Sequence, residues 1–328
     1  MLALQKGDTI GIISPSAPVA GFCPKRLERG VQMLETMGFT VKIGEHVSTM
    51  SNFTAGTPTQ RATDIHAMFT SPEIKAIIAT IGGYNANDLL DKLNYKLIAK
   101  NPKLFIGYSD ITVLHSALSK LANIKCLLGP MILPQFGEYP EIQSFTKESF
   151  INVVSNIGTG KKYILPCSEN WTEEMLPWDI GDNRARIFTA NPGWQIISTG
   201  MACGKLFAGN LNTISKLLGT KFMFDLDEVI LFLEDDDEES ASTIQRLLTH
   251  MKQTGCLKKI RGLVFGRFQK KSELPAEILK NILTTVLGQL SIPVIMGVDF
   301  GHTDPMLTLP IGNQVKINTE TKELTVVL

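Results

Sequence analysis

The sequence predicts an α/β fold, in which an N-terminal doubly wound parallel-sheet domain precedes a mixed α/β unit. Three observations carry that prediction. Short β-branched or apolar runs alternate with stretches of helical period, Gly, Pro and Asn mark most junctions, and one polar, tryptophan-rich segment breaks the rhythm between residues 163 and 194.

In chain order, TIGIISPSAP reads as a buried strand running into a turn, KRLERGVQMLETMG as an amphipathic helix and FTVKIG as a second strand. TQRATDIHAMFTS and IKAIIATIGG repeat the pair, and NANDLLDKLNYKLIAKN, KLFIGYSD, VLHSALSKL and KCLLGPM continue the alternation. Residues 1–163 are assigned to this first domain. The stretch LPCSENWTEEMLPWDIGDNRARIFTANPGW holds all three tryptophans and has no clean period. A long irregular segment rich in large aromatics suits a binding loop better than disorder, so 164–194 is assigned as an aromatic substrate loop and linker. Beyond it, KLFAGNLNTISKLLG, EVILFLEDDDEE, STIQRLLTHMKQTG, IRGLVFGRF, AEILKNILTTVLGQL and PVIMGVDFGH give a second domain, 195–328. Its tail QVKINTETKELTVVL reads as a hairpin turning at Asn318 to Lys322.

At 328 residues and 44% hydrophobic content, the chain has material for two packed cores. Its 32 basic and 32 acidic residues cancel, which argues against nucleic acid or an anionic membrane as partner and leaves small or neutral ligands. The start MLALQKGDTIGIISPSAP has no basic leader with a small-residue cleavage site, and no run reaches the ~18 apolar residues of a membrane span, so a cytoplasmic protein is expected. Cys23, Cys126, Cys167, Cys203 and Cys256 are scattered, odd in number and without a CxxC pair; reduced, mostly core thiols are expected. The five histidines form neither HExxH nor a tight His/Cys cluster, so no metal and no cofactor are assigned.

Four places carry candidate chemistry. Ser109, in LFIGYSDITVLHSALS, lies at an abrupt strand-to-helix junction, where a hydroxyl is exposed and backbone amides favour a developing oxyanion. The GxSxG pattern is incomplete, because Gly107 is present but position 111 is isoleucine; Ser109 or Asp110 as an ordinary helix cap fits the same residues. Gly82-Gly83 end the strand in IIATIGGYNANDLL and can aim amides at an anion, or simply turn the chain. Glu234 is the first acid after the apolar run VILFL, where a carboxylate can orient a histidine, although charge runs are commonly solvated faces. His302, glycine-flanked in GVDFGHTDP, follows another apolar run and is either a base or an exposed loop residue. Serine, glutamate and histidine, each beyond an apolar strand, supply the three roles of one triad.

GGYNANDLLDKLNY, FIGYSDIT, AGNLNTISKLLGT, ILFLEDDDE and GVDFGHTDP, in this order, resemble the serine LD-carboxypeptidase family, with the likeness running from SPSAP to LPIG. That family includes murein tetrapeptide carboxypeptidases and microcin C immunity peptidases of the MccF type. The resemblance implies Ser109 as nucleophile, His302 as base and then acid, and Glu234 as the carboxylate fixing the imidazole tautomer. It also implies an oxyanion hole from the amides of Gly83 and Asp110, a smaller C-terminal α/β domain, a site at the domain interface and a homodimer.

SENWTEEMLPWD resembles the aromatic loop of the MccF-type branch, which stacks on a nucleobase. Trp178 is the first choice for that role and Trp171 the second, while Trp194 in NPGWQII is expected to pack. Tyr84 and Asn210, inside the shared motifs, are assigned to substrate binding. The expected substrate is a small peptidyl- or aminoacyl-nucleotide, detoxified by hydrolysis. Murein tetrapeptide cleavage and a non-catalytic nucleotide-binding module are the alternatives. The run Asp235 to Glu239 is expected to disfavour an acidic aminoacyl group.

Overall fold

The computed structural model describes residues 3–328. Strands β1 (Thr9–Ile13), β2 (Thr40–Ile43), β3 (Ile74–Ala79), β4 (Leu104–Gly107) and β5 (Cys126–Leu128) form a parallel sheet in the order β5-β4-β3-β1-β2. Apart from the exposed edge strand β2, they are apolar on both faces, as a sheet covered by helices requires: β4 is buried throughout, and β1 and β3 expose almost nothing. The helix Pro58–Thr70 packs on β1 and β3, and its first turn is fixed by a reciprocal Thr57 and Gln60 capping box. Strand order turns around between β1 and β3, which opens a crevice at their C-terminal ends, the position where sheets of this kind hold ligands.

The remaining strands are β6 (Lys162–Ile164), β7 (Asn170–Trp171), β8 (Thr189–Ala190), β9 (Gln195–Ser198), β10 (Met201–Asn210), β11 (Val229–Glu234), β12 (Gly262–Gly266), β13 (Val294–Val298), β14 (Leu309–Pro310), β15 (Gln314–Asn318) and β16 (Glu323–Val327). A second sheet runs β6-β16-β15-β10-β11-β12-β13-β9, parallel from β10 to β13 and antiparallel towards both edges. The α/β class, with a parallel first sheet and a mixed second one, is thus as predicted, and β15 and β16 form the expected hairpin, with Asn318 Oδ1 accepting the Glu320 amide.

Two segments cross the expected domain division. β6, placed in the first domain up to residue 163, pairs with β16 in the second sheet, and β14 returns to the first sheet beside β5. Backbone pairing decides both memberships, and such pairing leaves no mark on local periodicity. The aromatic segment also contains an unexpected ladder, β7 with β8, that closes its base. The cysteines differ from expectation too: all five are free, but only Cys23 and Cys126 are buried, whereas Cys167 and Cys203 are exposed. No helix among the described residues is long and apolar enough to cross a membrane.

Candidate active site

Ser109 lies two residues beyond β4 with φ of 62°, a left-handed backbone that costs a non-glycine residue about 1 kcal/mol or more. A 3₁₀ turn Ser109–Ile111 leads into the helix Thr112–Ala122, and no side chain caps either start, so the capping alternative does not apply. Gly107, the glycine of the incomplete GxSxG pattern, does not make the sharp turn; it is small because a Cβ there would fall 2.9 Å from Ile111 Cγ2. The turn is made at Ser109 itself.

Glu234 ends β11 at 1% exposure, and His302 follows β13 in the loop that contains Gly301. His302 Nδ1 lies 2.6 Å from Glu234 Oε2, and His302 Nε2 lies 3.0 Å from Ser109 Oγ. Glycine is required at 301: φ is 100°, and a Cβ would meet Glu234 Oε2 at 2.6 Å. The three side chains come from three strand ends on two sheets and form one hydrogen-bonded chain. Burial by itself lowers the His302 pKa, but Glu234, with Asp236 and Asp235 behind it, outweighs burial and raises it to about 9. Asp235, pushed up to about 7 by burial and by Glu234, accepts from Asn210 Nδ2 at 2.8 Å and from the Asn212 amide at 2.9 Å.

Gly82 and Gly83 lie against the serine: a Cβ on Gly82 would sit 2.9 Å from Ser109 Cβ and 3.2 Å from the Asp110 nitrogen. The Gly83 amide donates to no oxygen among the described residues, which leaves it available to an incoming anion. A polarised serine beside such amides can attack a carbonyl and hold the resulting oxyanion.

These groups open into a cavity of 460 Å³ whose wall includes Tyr84, Trp178, Asp236 and Glu238. Tyr84 is 70% exposed and its hydroxyl donates to Glu238, across the two sheets. Trp178 is half-buried, with the Arg26 guanidinium 4.2 Å from its ring centroid. Trp171, by contrast, is buried beside Arg267 at 5.1 Å and is absent from the wall, so it holds the loop rather than facing a ligand. Trp194 packs in the core as expected. Asn210 is likewise held back from the wall: it is 4% exposed, its Nδ2 is given to Asp235 and its Oδ1 accepts the Thr213 amide.

Sequence reasoning missed the floor of the cavity. Arg26 pairs with Glu138 at 3.2 Å and Asp182 at 2.8 Å, while Arg186 reaches both Glu138 and Asp304 at 2.9 Å. Glu138, Arg26 and Asp304 are each less than a tenth exposed, so the network is desolvated and each charge depends on its partners. It fastens the aromatic segment to the first domain and to the loop of His302. The Thr172 and Asp304 backbones reinforce this with two hydrogen bonds of 2.7 and 3.0 Å. Only Asp304, in the quoted GHTDP motif, had a visible signal.

Residues 10–129 match the LD-carboxypeptidase N-terminal domain and residues 203–317 its C-terminal domain. The chain belongs to the LD-carboxypeptidase family. It is therefore a serine-type carboxypeptidase, a hydrolase, and the Ser109, Glu234 and His302 chain lies within the matched stretches. Over 334 residues it is 34% identical to the microcin C7 self-immunity protein MccF of Escherichia coli, covering 98% of this chain and 94% of that one. It is 31% identical to a probable murein peptide carboxypeptidase of Bacillus subtilis, covering 98% and 92%. A solved structure of MccF in complex with aspartyl sulfamoyl adenosine superposes with a TM-score of 0.91 at 32% identity, covering 99% of this chain and 97% of that chain.

Proposed function

We propose that this family member is an MccF-type amidohydrolase that cleaves aminoacyl- or peptidyl-nucleotide conjugates. The observation carrying the proposal is the hydrogen-bonded Ser109, His302 and Glu234 chain opening into a cavity whose wall presents Trp178. Ser109 Oγ attacks the carbonyl carbon and its proton passes to His302 Nε2. The bond to the leaving nitrogen then breaks, and His302 returns the proton to that nitrogen. Water repeats the sequence on the acyl-serine, releasing the acid and free Ser109. Gly83 and Asp110 donate their amides to the oxyanion in both halves.

Trp178 has one face against Arg26, so its remaining surface is offered to a planar base. Base stacking on an aromatic ring is worth about 1 to 3 kcal/mol. Trp178→Ala is expected to raise KM for a nucleoside-bearing substrate about 5- to 150-fold, the same energy range expressed as a ratio, with little change in kcat; an unchanged KM removes the stacking role.

The acidic wall narrows the acyl group. Glu173, Glu174 and Asp237 are paired with Lys270, Arg184 and Lys271, but Asp236 and Glu238 have no cationic partner among the described residues. Lysyl sulfamoyl adenosine is therefore expected to be cleaved faster than the aspartyl compound, and faster aspartyl turnover sinks this preference. The decisive assay incubates the protein with an aminoacyl sulfamoyl adenosine and, separately, with murein tetrapeptide. The nucleotide reading expects cleavage of the first, whereas release of terminal D-alanine alone assigns the protein to the activity named for its Bacillus subtilis relative.

A further inference from the structure

SPSAP and GGYNAND were singled out in the sequence, yet the triad accounts for neither beyond the Gly83 amide. In the structure the two loops leave the C-terminal ends of β1 and β3 and are stitched to each other and to the serine turn. Ser16, 1% exposed, donates from Oγ to Asp110 Oδ2 at 2.5 Å, and the same oxygen accepts the Ala86 amide at 2.8 Å. The Ala17 amide donates to Gly82 O at 3.0 Å. Arg61, 2% exposed, bridges the same loops from below, with Nη1 donating to Pro15 O at 2.7 Å and Asn85 O at 2.9 Å. Between these fastenings lies Gly83, with φ of 144°, where a Cβ would sit 2.6 Å from Ser16 Oγ. The Asp110 side chain therefore grips the loop that carries one oxyanion donor, while its own amide is the other.

We infer that Ser16 is a positioning residue for the oxyanion hole: its bond to the Asp110 carboxylate sets the separation of the Gly83 and Asp110 amides. The inference rests on the serine-hydrolase reading of Ser109. An oxyanion is stabilised by donors already in place, so a displacement of either amide weakens the transition state more than the bound substrate. An error of about 1 Å at a reacting centre costs on the order of 100-fold.

The test compares Ser16→Ala, Asp110→Ala and the double variant in three measurements: turnover of an aminoacyl sulfamoyl adenosine, affinity for a peptide boronic acid, and affinity for AMP. The boronic acid forms a tetrahedral adduct when Ser109 Oγ bonds to boron, which places a boron hydroxyl where the oxyanion forms. Each single variant is expected to lose about 10- to 100-fold in kcat and in boronate affinity, with KM and AMP affinity unchanged. The double variant is expected to lose no more than Asp110→Ala alone, because that change already removes the Ser16 bond along with the one to the Ala86 amide. Unchanged kcat in Ser16→Ala overturns the inference, as does an equal fall in AMP and boronate affinity, the signature of general loosening. Wild-type protein that binds the boronate no better than Ser109→Ala overturns the hydrolase reading, and the inference falls with it.

Discussion

Ser109→Ala is expected to abolish turnover, lowering kcat on the order of a million-fold, while the protein stays folded and retains its ligand. The local geometry explains why so much rests on one oxygen. Ser109 Oγ is the sole group among the described residues that His302 Nε2 contacts by hydrogen bond, and the left-handed backbone at 109 presents that oxygen at the turn between β4 and the helix Thr112–Ala122. Alanine has the same backbone preferences as serine apart from the hydroxyl, so the turn and the Gly82 contact survive the change. Kinetics and ligand binding therefore separate cleanly: AMP titration is expected to be near wild type, and single-turnover assays to show no acyl-enzyme. Turnover retained in Ser109→Ala marks a protein whose chemistry lies elsewhere. Ligand binding as its whole activity, the non-catalytic alternative, requires wild type and variant to behave alike in every assay.

Much of this site was legible before any coordinates, and the reason is local. Ser109 and His302 follow buried strands and Glu234 ends one, and strand ends are marked by apolar runs meeting glycine or charge. Their convergence was not written in periodicity; it came from the order of motifs that one family shares. What stayed hidden depends on distant pairing. Arg26, Glu138, Arg186 and Asp304 form one buried network from four remote positions, and apart from Asp304, inside the GVDFGHTDP motif, none differs in sequence from an exposed charge. Desolvation, the property that makes them matter, belongs to the assembled fold. Asn210 and Trp171 differ in the opposite direction, because a motif position and an aromatic ring suggested ligand contact, whereas the structure engages both in capping and packing. β6 and β14 changed sheets for the same reason: edge pairing is chosen by the partner strand.

Glu234→Gln is expected to lower kcat by about four orders of magnitude and to move the pH dependence as well. With its pKa raised to about 9, His302 is mostly imidazolium at neutral pH in the free enzyme and cannot accept the Ser109 proton. Wild-type kcat/KM is therefore expected to climb with pH and level off above about 9, since that ratio reports the free enzyme. The stability linkage has the opposite sense. A histidine whose folded pKa is raised stabilises the protein fully below its unfolded value near 6.5, and that contribution is lost as pH rises through about 9. Activity thus grows where the His302 and Glu234 ion pair fades. Glutamine removes the charge that outweighs burial, so the limb of kcat/KM moves to lower pH and the loss of Tm between pH 6.5 and 9 shrinks. The lower plateau has a separate cause. A carboxylate accepts the Nδ1 proton and leaves Nε2 free as base, whereas an amide can donate to Nδ1 and hold the proton on Nε2. Packing prevents escape, because Gly301 closes over Oε2 and Glu234 is 1% exposed. A variant with the wild-type pH limb shows that Glu234 does not set the His302 charge, and a variant with the wild-type plateau shows that it does not set the tautomer.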